Sequence, residues 1–312
     1  MSTPTTARAV RFDTYGDRDV LRLTDIPMPE PGPGQVVVAV RATAVNPFDT
    51  MLRLGVLHEL FPATFPSAQG SDLAGIVTAV APDVESFTVG DEVLGWAPEP
   101  GAHATHVAVP ATHLAAKPAN LSWESAGSLH MAAATAYASI QAVAPRAGET
   151  VAISAASGGV GTIAVQLLTH RGVRVLGIAS EASAPWLAKY GAIPVAYGDG
   201  LRERLVEAAG REGIDAFIDL AGPEYLDLAV ALDIPAERIQ TTVSMDRAAQ
   251  IGAKTDGRHD AATPEVLAEL VALAAAGAVE VPVTSTYPLD RVADAFAQLE
   301  GRHARGKIAL VP

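Results

Sequence analysis

Three small residues, Ala156, Gly158 and Gly161, stand at the spacing of the dinucleotide fingerprint G-x-G-x-x-G, with alanine in place of the first glycine. Each position has a mechanical task. A small first residue permits a tight turn, a bare Gly158 lets the backbone approach a pyrophosphate, and Gly161 lets a helix pack closely on a strand. The neighbouring residues supply that strand and that helix. Residues 151–154 are a short apolar run, 155–161 form the turn, and Val160, Ile163, Ala164, Leu167 and Leu168 recur at helical spacing. Arg171-Gly172 ends the helix and 173–179 is a second apolar run, so 151–180 has the length of a βαβ unit. The free N–H groups and positive end of such a helix face the phosphates of a bound nucleotide. A glycine-rich turn without a ligand has similar local chemistry; the setting between strand and helix favours the nucleotide.

The far end of the second strand distinguishes cofactors. NAD sites usually place Asp or Glu about 20 residues past the fingerprint, on the ribose 2′-hydroxyl. Here Ser180 stands there, and a hydroxyl can donate to a 2′-phosphate that a carboxylate would repel, so NADPH is the expected cofactor. Glu181 beside it, with no Arg or Lys before Lys189, weighs against that preference.

Other chemistry-bearing residues give weaker signals. Asp49, Asp72 and Asp91 could suggest acid/base work but suit pairing and capping. His103, His106 and His113 resemble a metal cluster by spacing, yet residues three apart on a strand face opposite sides, so a solvated surface role is expected. His259 and His303 stand alone in polar segments. No G-x-S-x-G elbow follows a strand, and no tyrosine is followed four residues later by lysine: Tyr137, Tyr190 and Tyr225 lead to Gln141, Pro194 and Ala229.

The elements that must position these groups divide the chain. Residues 7–110 read as mostly β, with strands at 7–11, 36–44, 75–81, 92–94 and 104–109 between Pro- and Gly-rich turns, which suggests a small β-barrel. From Ser122, a plausible N-cap, the texture becomes helical, with one alanine-rich helix over 126–143. Strands at 151–154, 173–179, 193–196, 215–220 and 238–243 then alternate with helices at about 160–170, 183–190, 201–211, 224–231 and 264–276. That alternation calls for a doubly wound parallel sheet with its ligand crevice beyond the carboxyl ends of the strands. Residues 245–263 are polar and poorly periodic and read as an irregular segment. The last pieces, a strand after Pro282, a helix over 289–299 and a strand over 307–311, are too few for a domain and are expected to return to the β domain. The expected division is 1–121 with 285–312, and 122–284.

Composition sets limits. With 312 residues, 49% hydrophobic and 18% charged, the chain can bury two sizeable cores. The net charge of −13 opposes nucleic acid and anionic membranes as partners. There are no cysteines, which excludes disulfides, thiolate nucleophiles and Cys-ligated zinc. The start, MSTPTTARAVRF, lacks an apolar segment of signal-peptide length, so a soluble cytoplasmic protein is the default expectation.

The motif order resembles the medium-chain dehydrogenase/reductase superfamily, and within it the zinc-free quinone oxidoreductase (zeta-crystallin-like) branch. Its carriers are NPFD at 46–49, GSDLAGIV at 70–77, VGDEVLG at 89–95, HMAAATAY at 130–137, AASGGVG at 155–161 and RGKIALV at 305–311, which together span nearly the whole chain. The resemblance implies a GroES-like β-barrel catalytic domain, a Rossmann domain, an active site in the cleft between them, and a homodimer. The zinc ligands of metal-containing relatives match Asn46, Ser71 and Met131 here, none a normal zinc ligand, so no metal is expected. Carried over residue by residue, Asn46 and Thr135 match positions lining the nicotinamide end, and Ser157, Gly158, Gly159 and Val160 match the pyrophosphate turn. Ser180 matches the 2′-phosphate position and Tyr197 the adenosine side, while Gly222, Val243, Ser244 and Lys307 match stretches along the cofactor. The chain departs from the branch at Met51, where a tyrosine is common, and at His130, where proline is common. The expected substrate pocket is therefore Asn46, Met51 and His130, with His130 as the candidate proton donor.

These residues imply an NADPH-dependent reductase that transfers hydride to a small-molecule quinone or α,β-unsaturated carbonyl without zinc; a member specialised for one biosynthetic intermediate has the same signature. The competing reading is a crystallin-like binding protein that keeps the nucleotide site with little or no turnover; the missing tyrosine is its best support.

Overall fold

Valines and alternating apolar residues make residues 35–44 the longest strand among those described, and the first unit is built around it. The computed structural model describes residues 5–301 and 304–312, which leaves His303 outside the described residues. In chain order come β1 (Thr6–Phe12), β2 (Arg22–Pro27), β3 (Gln35–Ala44), α1 (Pro47–Arg53), β4 (Ser67–Ala68), β5 (Asp72–Val80), β6 (Glu92–Trp96), β7 (His106–Pro110), β8 (Leu114–Ala116) and α2 (Trp123–Ala126). β3 pairs antiparallel with β5 and β7, and β5 continues through β6 to β8. Between the faces lie Val36, Val38, Leu73, Val77, Val93, Val109 and Leu114.

The helix expected over 126–143 is two helices. α2 is capped by Ser122, whose Oγ accepts from Ser125 N at 3.1 Å, and stops at Gly127; α3 (His130–Val143) starts afresh. The break follows from packing, because a Cβ on Gly127 would lie 2.3 Å from Ala42 O on β3. The backbone must leave the helix there to approach the sheet.

The second unit holds β9 (Thr150–Ile153), α4 (Gly159–His170), β10 (Arg174–Ala179), α5 (Ala184–Lys189), β11 (Ile193–Ala196), α6 (Leu201–Ala209), β12 (Ala216–Asp219), α7 (Pro223–Ala231) and β13 (Ile239–Thr241). All pairings are parallel, in the order β11-β10-β9-β12-β13. This is the doubly wound arrangement, with its topological switch between β9 and β12. Residues 245–263, expected to be irregular, instead contain α8 (Met245–Ile251) and α9 (Arg258–Ala261), so His259 lies in a helix. Ala248, Ile251 and Ala253 pack into the core with Leu205, Phe217, Leu226 and Ile239; three apolar anchors suffice, although the stretch carries no sustained period.

The chain then returns to the first unit through α10 (Pro264–Ala275), β14 (Val283–Pro288), α11 (Val292–Glu300) and β15 (Lys307–Val311). β15 lies between β14 and β3. The compact units are 1–131, 263–275 and 281–312, and 132–262 with 276–280. Thus α2 and α10 belong with the β-rich unit rather than inside 122–284. Ser125 Oγ donates to Val281 O at 3.0 Å and Asn120 Nδ2 to Ala275 O at 2.9 Å, which ties both segments there. Among the described residues no helix is long and apolar enough to cross a membrane.

Candidate nucleotide and acceptor sites

The five strand ends of the second unit bring most of the expected cofactor residues to one edge; Asn46 and Lys307 lie in the first unit and Thr135 on α3. β9 ends at Ile153 ahead of Ser157, Gly158, Gly159 and Val160; β10 ahead of Ser180; β11 ahead of Tyr197; β12 ahead of Gly222; and β13 ahead of Val243 and Ser244. The turn after β9 takes a positive φ of 48° at Ala155, one residue before the fingerprint's first position, while Ala156 is fully buried. A Cβ on Gly161 would stand 2.4 Å from Ala155 O and 2.7 Å from Ala156 Cα, so helix and turn touch backbone to backbone. At Gly158 the one atom within 4 Å of a Cβ is Ala155 O, at 3.3 Å. The first turn of the twelve-residue α4 contains no acidic residue, leaving its N-terminal N–H groups suited to an anion.

After β10, Ser180 is half-buried with its Oγ 3.0 Å from Ser183 Oγ. Tyr197 is exposed, and its N donates to Ala179 O at 3.0 Å, holding the two strand ends together. The sequence reading missed Arg204. Its guanidinium donates to Ala196 O, Tyr197 O, Gly198 O and Asp199 O, gathering the loop after β11 around a positive charge.

Asp219, the last residue of β12, was also missed. It is fully buried; Oδ1 accepts from Ser154 Oγ at 2.7 Å, Ala221 N at 2.9 Å and Gly222 N at 3.1 Å, and Oδ2 from Thr241 Oγ1 at 2.8 Å and Ser244 Oγ at 3.2 Å. A carboxylate closing the apolar run Ala216–Asp219 is the signal that could have found it. Thr135 lies in the second turn of α3, its carbonyl accepting from Ser139 Oγ at 2.8 Å.

In the first unit, Asn46, Asp49, Asp72 and Lys307 form a buried polar group. Asn46 Nδ2 donates to Asp72 Oδ2 at 3.1 Å, Lys307 Nζ donates to Asn46 Oδ1 at 2.5 Å and lies 3.5 Å from Asp72 Oδ2, and Met131 N donates to Asp72 Oδ1 at 2.6 Å. Asp72 therefore joins α1, β15 and the start of α3. Met51 is half-buried on α1. His130 is 1% exposed and stacks on Trp96, centroids 4.1 Å apart; His113 stacks on Trp96 at 4.3 Å.

The histidines depart from the surface role expected of them. His103 is fully buried, its Nε2 3.0 Å from Ala44 O, in space that Gly70 leaves open: a Cβ there would lie 2.2 Å from the imidazole. His113 is half-buried against Trp96. Among the described residues no three His, Cys, Asp or Glu side chains are grouped to hold a metal ion. The aspartates do cap and pair: Asp49 Oδ2 accepts from Asn46 N at 2.8 Å and Asp91 Oδ2 from Thr88 N at 2.7 Å.

Two buried groups titrate in opposite senses. Burial pushes the Asp49 carboxyl up to about 7; the Asn46 N–H opposes this, the nearby Asp72 charge adds to it and Lys307 opposes it, while Oδ1 has no hydrogen-bond partner. Burial pushes His103 down to about 4, against the Ala44 carbonyl and the Asp72 charge. Between the ordinary carboxylate value and 7, folded Asp49 holds a proton that the unfolded chain has released, so its contribution falls as pH rises. Between 4 and 6.5, unfolded His103 holds a proton that the folded ring refuses, so its contribution rises with pH. The slopes oppose each other. Urea midpoints should change little across the shared window in the unsubstituted protein, while Asp49→Asn unmasks a gain with pH on the order of 3 kcal/mol. A flat Asp49→Asn profile would contradict the assignment.

Comparison with known proteins agrees with this architecture. Residues 32–119 match the alcohol dehydrogenase GroES-like domain and 190–310 match a family described as zinc-binding dehydrogenase. The chain is 30% identical to the chloroplastic NADPH-dependent alkenal/one oxidoreductase of Arabidopsis thaliana, over 100% of this chain and 81% of that protein. It is 29% identical to human quinone oxidoreductase, over 97% of each. A mycobacterial protein solved in complex with NADPH superposes with a TM-score of 0.85 at 28% identity, over 98% of this chain and 100% of that one. The chain belongs to the medium-chain dehydrogenase/reductase superfamily and is an NAD(P)H-dependent oxidoreductase.

Proposed function

We propose that the protein is an NADPH-dependent reductase that delivers hydride to a conjugated acceptor, a quinone or an α,β-unsaturated carbonyl, without zinc. The observation that carries this reading is the buried group around Asn46. The family model's name implies zinc, but the residues present do not fit it: Asn46, Ser71 and Met131 stand at the ligand positions, and the Asn46 oxygen already accepts from the Lys307 ammonium. Without a Lewis acid at the carbonyl, charge must spread over the acceptor itself, which favours conjugated systems over simple ketones.

The bound cofactor supplies the hydride. The chain's own residues do the rest: the α4 N-terminus and the bare Gly158 receive the pyrophosphate, and Ser180, its Oγ steadied by the buried Ser183 Oγ, offers its hydroxyl to the 2′-phosphate. Support for NADPH comes from that hydroxyl, from the Arg204 charge under the neighbouring loop and from the relatives named above. We assign protonation of the reduced acceptor to solvent rather than to His130, whose ring lies flat on Trp96 and is 1% exposed. An apolar acceptor suits the segment after α1, where Leu54, Val56, Leu60 and Phe61 are exposed in close succession.

Fluorescence titration with NADPH and NADH, followed by turnover on a quinone, an enone and a simple ketone, tests the reading. Tighter NADPH binding is expected, with oxidation by quinone or enone that a chelator leaves unchanged. Chelator-sensitive ketone reduction would overturn the zinc-independent mechanism, and nucleotide binding without turnover would favour the binding-protein alternative.

A further inference from the structure

We infer that Asp219 is a positioning residue for the nicotinamide half of the cofactor site, fixing the two loops that follow β12 and β13 to the end of β9. The inference rests on the nucleotide reading of the second unit.

The sheet order places β10 on one side of β9, and β12 and β13 on the other. In a doubly wound sheet the dinucleotide crosses the crevice at the switch point, and the residue that reads the adenosine ribose follows the second strand. Ser180 follows β10, so the adenosine half belongs to that side. The other half then runs past residues 220–222 and 242–244. Every polar tie that Asp219 makes is to this second side or to the end of β9.

The tie is specific to a carboxylate. Its five donors are hydroxyls and backbone N–H groups, and the two acceptors are divided: Oδ1 serves Ser154, Ala221 and Gly222, while Oδ2 serves Thr241 and Ser244. The partner hydroxyls are themselves committed. Ser154 Oγ accepts from Leu220 N at 2.8 Å, and Thr241 Oγ1 accepts from Val243 N at 3.2 Å and Ser244 N at 3.1 Å. Their hydrogens must therefore point at Asp219, and an acceptor-only group is required. Asparagine in this place keeps one oxygen but turns an NH2 toward Thr241 and Ser244, where the acceptor sites of Thr241 are already used. The loop 242–244 loses its side-chain anchor and keeps only the bond from Thr242 N to the Asp219 backbone carbonyl, while 154 and 220–222 keep theirs.

The experiment compares Asp219→Asn and Thr241→Val with the unsubstituted protein, measuring affinity for NADPH and, separately, for 2′,5′-ADP, the adenosine fragment. A buried anchor lost from one loop should weaken NADPH roughly tenfold while leaving 2′,5′-ADP within about twofold. In turnover the loss should appear in the KM for NADPH more than in kcat. A purely structural role would weaken both ligands together, and that result, or unchanged NADPH affinity in both variants, overturns the inference. Thr241→Val keeps the test open should Asp219→Asn fail to fold. If the unsubstituted protein binds neither ligand, the nucleotide reading itself falls, an outcome distinct from either of these.

Discussion

Adding one methyl group at Gly158 and, separately, at Gly161 should produce two different failures. At Gly158 the new Cβ meets only Ala155 O, at 3.3 Å, and the backbone φ of −74° suits alanine. The fold should lose no more than about 1 kcal/mol, the scale of an altered N-cap. The methyl group would nevertheless stand where the pyrophosphate approaches, displacing it from the α4 amides. Hydrogen bonds to a charged group are worth about 1.5–3 kcal/mol, so NADPH should bind roughly 10- to 100-fold more weakly in titration. At Gly161 the methyl group would press on Ala155 O at 2.4 Å and on Ala156 Cα and C at 2.7 and 2.8 Å, all backbone. Neither strand end nor helix can yield without moving the other. Gly161→Ala should lower urea stability by about 1–3 kcal/mol or more, in addition to any loss of affinity. Equal effects of the two substitutions on stability would contradict the division of labour in the turn.

The second large effect is expected at Lys307. Its side chain is 5% exposed, and the ammonium faces Asn46 Oδ1 and the buried Asp72 carboxylate. Lys307→Met keeps much of the side-chain volume but leaves Asp72, among the described residues, with the Asn46 and Met131 donors. Removing one member of a buried pair costs about 3–5 kcal/mol, chiefly because the other charge is left uncompensated. Adding Asp72→Asn should therefore recover part of the loss, a coupling that a double-mutant cycle in urea measures directly. Additive losses would show that Lys307 acts through packing alone.

What the sequence disclosed and what it concealed follow from the range of the forces involved. The βαβ unit at 151–180 was legible because turn, apolar period and helix stop all act within a few residues. So was the return of the last strand, which depends on pattern. The division of 126–143 was hidden because the cause is Ala42, far away in sequence, pressing on Gly127. His103 was misread for the same reason, since the space it fills is opened by Gly70. Asp219 ties loops that come together only once the parallel sheet has formed, and the carboxylate closing its apolar run was the one local sign of it; Arg204 binds carbonyls only five to eight residues away, but its side-chain type alone does not announce that role. Asp72 was recognised as a pairing residue, but its partners at 46, 131 and 307 belong to three separate stretches of chain.

The place of β15 between β14 and β3 has a consequence for synthesis. The cluster of Val10, Phe12, Val45, Phe296, Ile308 and Leu310 draws on both ends of the chain. A ribosome that has made β3 must still add everything up to residue 310 before this cluster can close, roughly 10–50 s at common elongation rates. During that interval the β3 edge facing β15 lacks its partner, and the second unit is complete at residue 280, before β15 is made. The first unit is thus begun first and completed last, and its open β3 edge is the part of the nascent chain that needs protection.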